Sequence, residues 1–512
     1  MKSQIKIGSI LGYANIFLSL LVNFIYVPFL IGRLGQSEYG LYSLIISIIS
    51  YLSVLDMGFG NAMIRFVSKS KAKKELENEK KINGMFLFLY IIIGIITLIV
   101  GIVLLLNIDM LFKVTLTPLE LQKAKMMMAI MVISLALSFP LSIFDSYALA
   151  CEKYIFLKGL AIVRTLIVPI TMIPFLLSGF KSITLVLVTC SYTVIFHIIC
   201  MIVCFKQEKM QIDFKLRHFD KGLFKEITFY SFYIFLNIIV DALFKNTDQV
   251  ILGAVSGTIA VSVYAVASQI TTINTNFSTA ISGVFFPRIT KLNEGKNADR
   301  DLSNIFNKVS KIQMYVMFLI LFGFIVFGRE FINLWTGPEY KDAYLIVLLI
   351  IAPSIIPLTQ NIGIQILQAK NKHKFRSVVY ILIAVLNVIA SIPLAKLYGG
   401  IGAAIGTCVS ILLGQILTMN IYYYKVIKID IPKYFKNFFK IGIPVSILSV
   451  IYLFIIRNMT LNWITLFIHV IIYTIIYLNI IYRVLDRDEK KSVDNYIVKL
   501  IKKVIKNKKI KI

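Results

Sequence analysis

The sequence carries no Walker A run, no HExxH and no paired cysteine motif, and its four histidines are scattered. Nucleotide hydrolysis, zinc proteolysis and thiol redox chemistry therefore have no local signature. The five cysteines (Cys151, Cys190, Cys200, Cys204 and Cys408) lie in or beside apolar runs, which excludes a disulfide framework. They read as small reduced hydrophobes. Acidic residues are scarce: 26 Asp and Glu against 54 Lys and Arg leave a net charge of +28. In a soluble chain that imbalance would point to nucleic acid. Here the loops give a different account of it, and no nucleic-acid partner is expected. No small-residue cleavage site cleanly ends the apolar run that follows Met1–Ile7, so it reads as a first, uncleaved span.

What the chain does have is hydrocarbon. It is 58% hydrophobic, with a mean hydropathy of +0.82, and apolar runs near the length of a bilayer crossing recur throughout. Fourteen spans are expected near 7–31, 39–61, 84–106, 126–150, 155–178, 182–205, 228–252, 259–286, 310–327, 343–368, 377–395, 401–424, 440–456 and 461–482. Only helices satisfy the backbone at these lengths in lipid, so the predicted fold is an all-α polytopic membrane protein. Of the 54 basic residues, 43 fall on one side if both termini share it, and nine on the other. That bias predicts cytoplasmic N- and C-termini. The outward loops are short, the longest about Asn107 to Lys125, and none is large enough for a catalytic domain. The tail sets Tyr496, Leu500, Val504, Ile497, Ile501 and Ile505 on one helical face amid lysines. Either a surface-lying helix or a basic disordered tail fits that pattern.

The chain also repeats itself. Gly32-Arg33-Leu34-Gly35 with Tyr42 recurs as Gly253 to Tyr264, Pro140 with Lys153 as Pro357 with Lys370, and Thr189-Cys190 as Thr407-Cys408. The shared offset maps spans 1–6 onto 7–12 in the same orientation, a parallel repeat. The predicted organisation is an N-terminal lobe at 1–205, a linker at 206–227, a second lobe at 228–424, an extra helix pair at 440–482 and a basic tail at 483–512.

One span breaks the apolar rule. Residues 228–252 carry Asn237, Asp241, Lys245 and Asp248 at steps of four, four and three, which a helix places on one face. Charges at membrane depth survive where they face a bundle interior or a wet cavity. The stripe reads either as the wall of a translocation path or as an internally neutralised packing stripe. Shifted back by 222 residues it lands on Asn15, Ser19, Asn23 and Tyr26, so the first span has an uncharged counterpart. Asp145 and Arg164 lie equally far from the hairpin near Tyr154, and are expected to pair, either as a structural weld or as a pair that opens on ligand binding. Span ten holds Pro353, Pro357, Gln360, Asn361, Gln365 and Gln368; these amides suit hydroxyl-rich ligands or interhelical contacts equally. Arg65 and Arg288 stand at pseudo-equivalent inner mouths, as phosphate attractors or plain anchors. His197 and His469 lie within spans as proton relays or packing residues.

The run Gly32-Arg33-Leu34-Gly35-Gln36-Ser37-Glu38-Tyr39-Gly40-Leu41-Tyr42, with Leu55 to Gly60 and Arg65, resembles the start of Wzx-like O-antigen and polysaccharide flippases. So do Asp248 to Gly253 with Tyr264, and Phe286-Pro287-Arg288. The family belongs to the multidrug/oligosaccharidyl-lipid/polysaccharide exporter superfamily. The resemblance implies two six-helix lobes plus two helices, and alternating access that moves undecaprenyl-pyrophosphate-linked oligosaccharide from the inner to the outer leaflet of a bacterial cytoplasmic membrane. It implies no catalysis and no cofactor beyond a coupling proton or cation. It also implies a lipid-linked oligosaccharide and membrane lipids as partners, with polysaccharide polymerase and glycosyltransferases nearby. An ion-coupled multidrug or small-molecule exporter, and a lipid II flippase, are the rival functions.

Overall fold

The computed structural model describes residues 2–213, 221–457, 459–491 and 494–495. These are helical nearly throughout, with no strand among them. In chain order the helices are α1 (Lys2–Leu34), α2 (Gln36–Ser53), α3 (Phe59–Ala72), α4 (Leu76–Leu106), α5 (Ile108–Phe112), α6 (Pro118–Ala150), α7 (Tyr154–Leu177), α8 (Ser182–Lys206) and α9 (Lys221–Val255). They continue as α10 (Gly257–Gly283), α11 (Phe286–Asn293), α12 (Ala298–Thr336), α13 (Asp342–Thr359), α14 (Ile362–Ala369), α15 (His373–Ser410), α16 (Met419–Tyr422), α17 (Ile431–Ile456) and α18 (Trp463–Val484). Among the described residues, 11 helical stretches are long and apolar enough to cross a membrane. One of them, His373–Ile427, holds two passes that meet at Gly399, where φ 56 and ψ −135 leave the helical region. With α9 and α10, which have the length but are more polar, this accommodates the fourteen expected crossings. The chain is a multi-pass all-α membrane protein.

The repeat is visible in the backbone itself. Left-handed turn residues recur at nearly constant offsets: Gly35 and Gly257 lie 222 apart, Glu152 and Asn371 lie 219 apart, and Gly179 and Gly399 lie 220 apart. The second pair even repeats its hydrogen bonds, Lys153 N to Ala148 O at 3.0 Å and Lys372 N to Leu367 O at 2.8 Å.

Two compact units form, Met1–Ser268 with Ser377–Ser410, and Gln269–Arg376 with Ile411–Ile512. The division follows packing rather than the repeat, because α9 lies along α2.

The first unit is built on α6, which packs against α4 and α8, with α1 laid against α7. Phe86, Tyr90, Ile143, Tyr147 and Cys200 fill the interior. The span begun by α2 breaks after Ser53: Val54–Asp56 form a 3-10 turn, and Met57 and Gly58 take left-handed conformations before α3 starts. A break at membrane depth needs partners for its polar groups. Asp56 supplies them, accepting from the Tyr90 hydroxyl at 2.8 Å and from Gly58 N at 3.2 Å. After α8 the chain returns as a strap across α4. Asn83 Nδ2 donates to Gln211 O at 2.9 Å, Asp213 N donates to Lys80 O at 3.1 Å, and Met210 is buried in the core. Gly84 permits this crossing, since a Cβ there would overlap the Asp213 carbonyl.

In the second unit α12 is the spine for α13, α17 and α18. Phe306, Phe318, Tyr434 and Phe438 interlock around it, as do Phe327, Tyr452 and Tyr473. His469 is a packing residue here, its Nδ1 lying 3.0 Å from the Tyr452 hydroxyl. The expected tenth span is interrupted after Thr359, with Gln360 and Asn361 turning the chain between α13 and α14. The expected amphipathic tail, Tyr496 onward, lies outside the described residues.

Just past α18, Asp486 and Glu489 receive the Lys311 ammonium at 2.6 and 2.7 Å, and Lys440 reaches Asp486 at 3.0 Å. Lys311 is only 5% exposed, so these acids are its compensation. The two ammonium groups hold the Asp486 carboxyl down to about 2. Its folded value lies below the unfolded one, so the stability it adds is present above about pH 4 and is lost as pH falls toward about 2. Asp486→Asn should lower the melting temperature of purified protein at pH 7. The difference from wild type should shrink below about pH 3, as scanning fluorimetry across pH would show.

Candidate functional site

The structure splits the polar stripe of α9. Asp248 is buried, 3% exposed, together with its neighbours Thr247 and Gln249, whereas Asp241 and Lys245 are exposed. The side chain of Asn237 lies outside the described residues. Among the described residues no hydrogen bond or ion pair joins Lys245 to Asp241 or Asp248, so the internally neutralised stripe is not formed. The residues share a face but not a cover. α10 and α15 close over the helix at Asp248 and leave the preceding turns open.

Around Asp248 sits a ring of neutral oxygen groups. The hydroxyls of Tyr264 and Thr407 both donate to its Oδ2, the latter at 2.6 Å. Ser391 Oγ donates to Asn387 Oδ1 at 2.9 Å, and Thr407 Oγ1 lies 3.4 Å from that same Oδ1. Ser391 Oγ is 3.4 Å from Ala403 O. Small residues bring these groups together. Gly399 turns α15 back on itself, and Gly402 and Gly406, one turn apart, let the returning arm touch the outgoing one. A Cβ at Gly402 would overlap the Leu394 carbonyl, and one at Gly406 would overlap the Ser391 hydroxyl.

Among the described residues the second carboxylate oxygen, Oδ1, is buried and accepts no hydrogen bond of good geometry, with Ser391 and Asn387 near enough to act on the carboxyl. A buried carboxylate with one empty oxygen and no cation beside it is costly, by several kcal/mol. The available donors are hard oxygens carrying a single negative charge, which suits a proton or an alkali cation rather than a transition metal. Among the described residues no group of three His, Cys, Asp or Glu could hold a metal ion.

The remaining predicted residues are scattered across other roles. Asn15 Oδ1 accepts from Thr165 at 3.1 Å and so stitches α1 to α7, while Asn23 is exposed. Asp145 and Arg164, expected to pair, are not in salt-bridge contact, although the Asp145 charge still acts on the Arg164 guanidinium. Asp145 Oδ2 lies 2.7 Å from His197 Nδ1, and Arg164 Nη2 donates to Thr193 Oγ1 at 2.7 Å. The correction has a packing cause: α8 lies against both α6 and α7, and its Thr193 and His197, one turn apart, meet the two charges first. In the second unit Asn361 Nδ2 donates to Ser278 Oγ at 3.2 Å and Gln360 Nε2 to Asn420 Oδ1 at 2.7 Å, both buried. Those amides are used between helices; Gln365 is half-buried. Arg65 and Arg288 are both exposed, Arg65 over the Phe66 ring.

A second polar knot was not anticipated from the sequence. Ser37 Oγ and Thr258 Oγ1 both donate to Glu120 Oε1, at 2.5 and 2.9 Å, and lie 3.1 Å from each other. Thr117 Oγ1 caps α6 by accepting from Glu120 N at 3.3 Å, and the other oxygen of Glu120 accepts in return from Thr117 N at 2.8 Å. Beside it Glu38 accepts from Ser182 Oγ at 2.7 Å and holds Lys123 at 3.1 Å. The starts of α2, α6 and α10 thus converge on one carboxylate, where their positive dipole ends favour it. A Cβ on Gly40 would overlap the Thr258 carbonyl, so glycine is what lets α2 and α10 approach here. The signals were present: a capping box spelled Thr117-x-x-Glu120, and Ser37 and Thr258 separated by the repeat offset.

The sequence pattern of the family described as "Polysaccharide biosynthesis protein" matches residues 8–293. The "Probable low-salt glycan biosynthesis flippase Agl15" of Haloferax volcanii is 24% identical over 188 residues, 37% of this chain and 40% of that relative. The match therefore spans less than half of the relative's length. Among solved structures, "Lipid II flippase MurJ, inward closed conformation" has a TM-score of 0.72 at 18% identity, covering 93% of this chain and 99% of that one. An inward-facing multidrug resistance MATE family transporter of the MOP superfamily has a TM-score of 0.62 at 14% identity, covering 80% and 95%. These likenesses establish the fold. For the ring around Asp248, Gly406→Val should overpack the α15 hairpin and cost ~1–3 kcal/mol. In a detergent melting series it should lower the midpoint clearly, while Gly323→Ala, whose Cβ would meet nothing within 4 Å, should leave it unchanged.

Proposed function

The chain belongs to the polysaccharide biosynthesis protein family, and from that premise we propose that it is a flippase for lipid-linked oligosaccharide. The ligand is an undecaprenyl-pyrophosphate-linked glycan, moved from the inner to the outer leaflet of a bacterial cytoplasmic membrane, with both termini in the cytoplasm. A pyrophosphate and its sugars cannot enter hydrocarbon unaided, which is why such a lipid needs a protein path. The named function of the Haloferax relative supports a flippase.

The observation that carries this reading is the division of α9. One stretch of a single helix presents an exposed aspartate and lysine, Asp241 and Lys245, and within a turn of Lys245 encloses Asp248, whose Oδ1 accepts no hydrogen bond of good geometry among the described residues. The exposed turns line the path and meet the polar head group. The enclosed carboxylate takes the coupling proton or cation. Because both lie on one rigid helix, a change in the charge held at Asp248 shifts the helix that faces the ligand. The same division would serve an ion-coupled exporter of small molecules, and family membership is what favours the lipid-linked substrate.

Loss of the gene should deplete surface polysaccharide and build up lipid-linked oligosaccharide on the inner leaflet. Unchanged polysaccharide with no build-up would refute the proposal, and rescue of peptidoglycan synthesis in a strain lacking its lipid II flippase would assign that substrate instead. In the complementation assay Lys245→Ala should cut export roughly tenfold, the weight of one charge-assisted contact, at normal membrane expression. Full export by that variant would remove Lys245 from the path.

A further inference from the structure

Three consecutive residues of α9, Thr247, Asp248 and Gln249, are all buried, and they part in two directions. Asp248 turns to Tyr264 of α10 and Thr407 of α15. Its two neighbours turn to α2. The Tyr51 hydroxyl lies 2.6 Å from Thr247 Oγ1, and Ser47 Oγ donates to Gln249 Oε1 at 2.7 Å, closer than its second acceptor, Ser43 O, at 3.0 Å. We propose that Ser47 and Tyr51 are positioning residues, which fix the rotation of α9 so that Asp248 stays beneath α10 and α15. This rests on Asp248 being the group that takes the coupling proton or cation, and it adds what sets that group's direction.

Successive residues of a helix point about 100° apart. The direction opposite Asp248 therefore bisects those of Thr247 and Gln249, and α2 lies on that side. Two further residues of α9 meet α2 there. A Cβ on Gly253 would overlap the Leu44 side chain, and Val250 lines an apolar cavity together with Ile48 and Tyr51. Small size at Gly253 brings α2 close, and the two hydrogen bonds then grip α9 on both flanks of the contact. One bond would leave the helix free to roll about it; two, from residues one turn apart on α2, do not.

Burial gives the grip its strength. Ser47 is 2% exposed and Gln249 9% exposed, so a roll that parted them would leave polar groups buried and unpaired. The turn before has no such hold from Asn246, whose Nδ2 donates at 3.2 Å to Ala242 O of its own helix. The grip thus falls on the turn that carries Asp248, while Asp241 and Lys245 stay exposed. Tyr51 also stands near enough for the Asp248 charge to act on its hydroxyl. Because α2 belongs to the first half of the repeat and α9 opens the second, the clamp ties the carboxylate of one half to a span of the other.

The test reads the direction of Asp248 in full-length protein in nanodiscs. A water-soluble carbodiimide with glycinamide modifies accessible carboxylates, and mass spectrometry follows each site, with exposed Asp241 on the same helix as internal reference. In wild type Asp241 should react much faster than Asp248. In Ser47→Ala/Tyr51→Phe the Asp248 rate, relative to Asp241, should rise roughly tenfold, the weight of one buried hydrogen bond. Should the double variant aggregate, Tyr51→Phe alone should raise it roughly threefold. Ser43→Ala, which removes a hydroxyl bonded at 2.9 Å to Tyr39 O within α2, should leave the ratio at its wild-type value. An unchanged ratio in the clamp variants, or an equal rise in Ser43→Ala, would overturn the proposal. Repeating the series with lithium, sodium or potassium separates the two claims. A rise in the variants with no protection of wild-type Asp248 by any cation or by a change of pH supports the clamp and contradicts the ion reading.

Discussion

A carboxylate buried between helices, with no cation paired to it among the described residues, is the constraint around which the Asp248 region is built. The protein answers it with neutral donors: two hydroxyls, from Tyr264 and Thr407, on one oxygen, and an open position on the other. Supplying those donors dictates backbone choices well away from Asp248. Thr407 reaches the site only because α15 folds back at Gly399 and its arms touch at Gly402 and Gly406. Tyr264 reaches it because Gly257, with φ +82, turns the chain sharply from α9 into α10. A lysine placed nearby would have satisfied the charge permanently. Hydroxyls hold the carboxyl without neutralising it.

The two halves of the repeat solve the same folding problem with different chemistry. The turns at Gly35 and Gly257, Glu152 and Asn371, and Gly179 and Gly399 coincide. The polar cargo does not: the position that carries Asp248 in the second half corresponds to Tyr26 in the first. In the first half Asp145 of α6 meets His197 and Arg164 of α7 meets Thr193, both on α8. The Glu120 knot then joins corresponding residues of the two halves, Ser37 and Thr258, at the starts of α2 and α10. Repetition supplies the scaffold, and departure from it supplies a site that differs between the halves.

Composition and the length of the apolar runs were enough to make the chain a polytopic helical membrane protein, because hydrocarbon leaves the backbone so few alternatives. The repeat was legible as well, since glycines and prolines that fix turns must recur wherever the turns do. Side-chain pairing was less legible. Equal distance from a hairpin centre placed Asp145 opposite Arg164, yet a third helix reached both first, and sequence spacing within two helices carries no information about a third. The spacing of the α9 stripe puts its members along one helix. Which of its members is enclosed depends on the cover from α10 and α15, set by glycine contacts whose spacing, Gly402 to Gly406, was readable but whose partner was not. Similarly, the amides of the tenth span face inward to Ser278 and Asn420 because the helix breaks at Gln360, a break that two prolines announced without fixing its direction.

The central claim is that Asp248 exchanges a proton or a small cation at its unpartnered oxygen. The direct measurement is the melting temperature of the purified protein across pH and across lithium, sodium and potassium concentrations, in parallel with Asp248→Asn. Binding to the folded state alone adds RT ln(1 + [L]/Kd), so a 100-fold excess over Kd is worth about 2.7 kcal/mol, several degrees in a chain of this size. Wild type should be stabilised by acidification or by one of the cations, and Asp248→Asn should respond to neither. Equal responses in the two proteins, or no response in the wild type, would contradict the account.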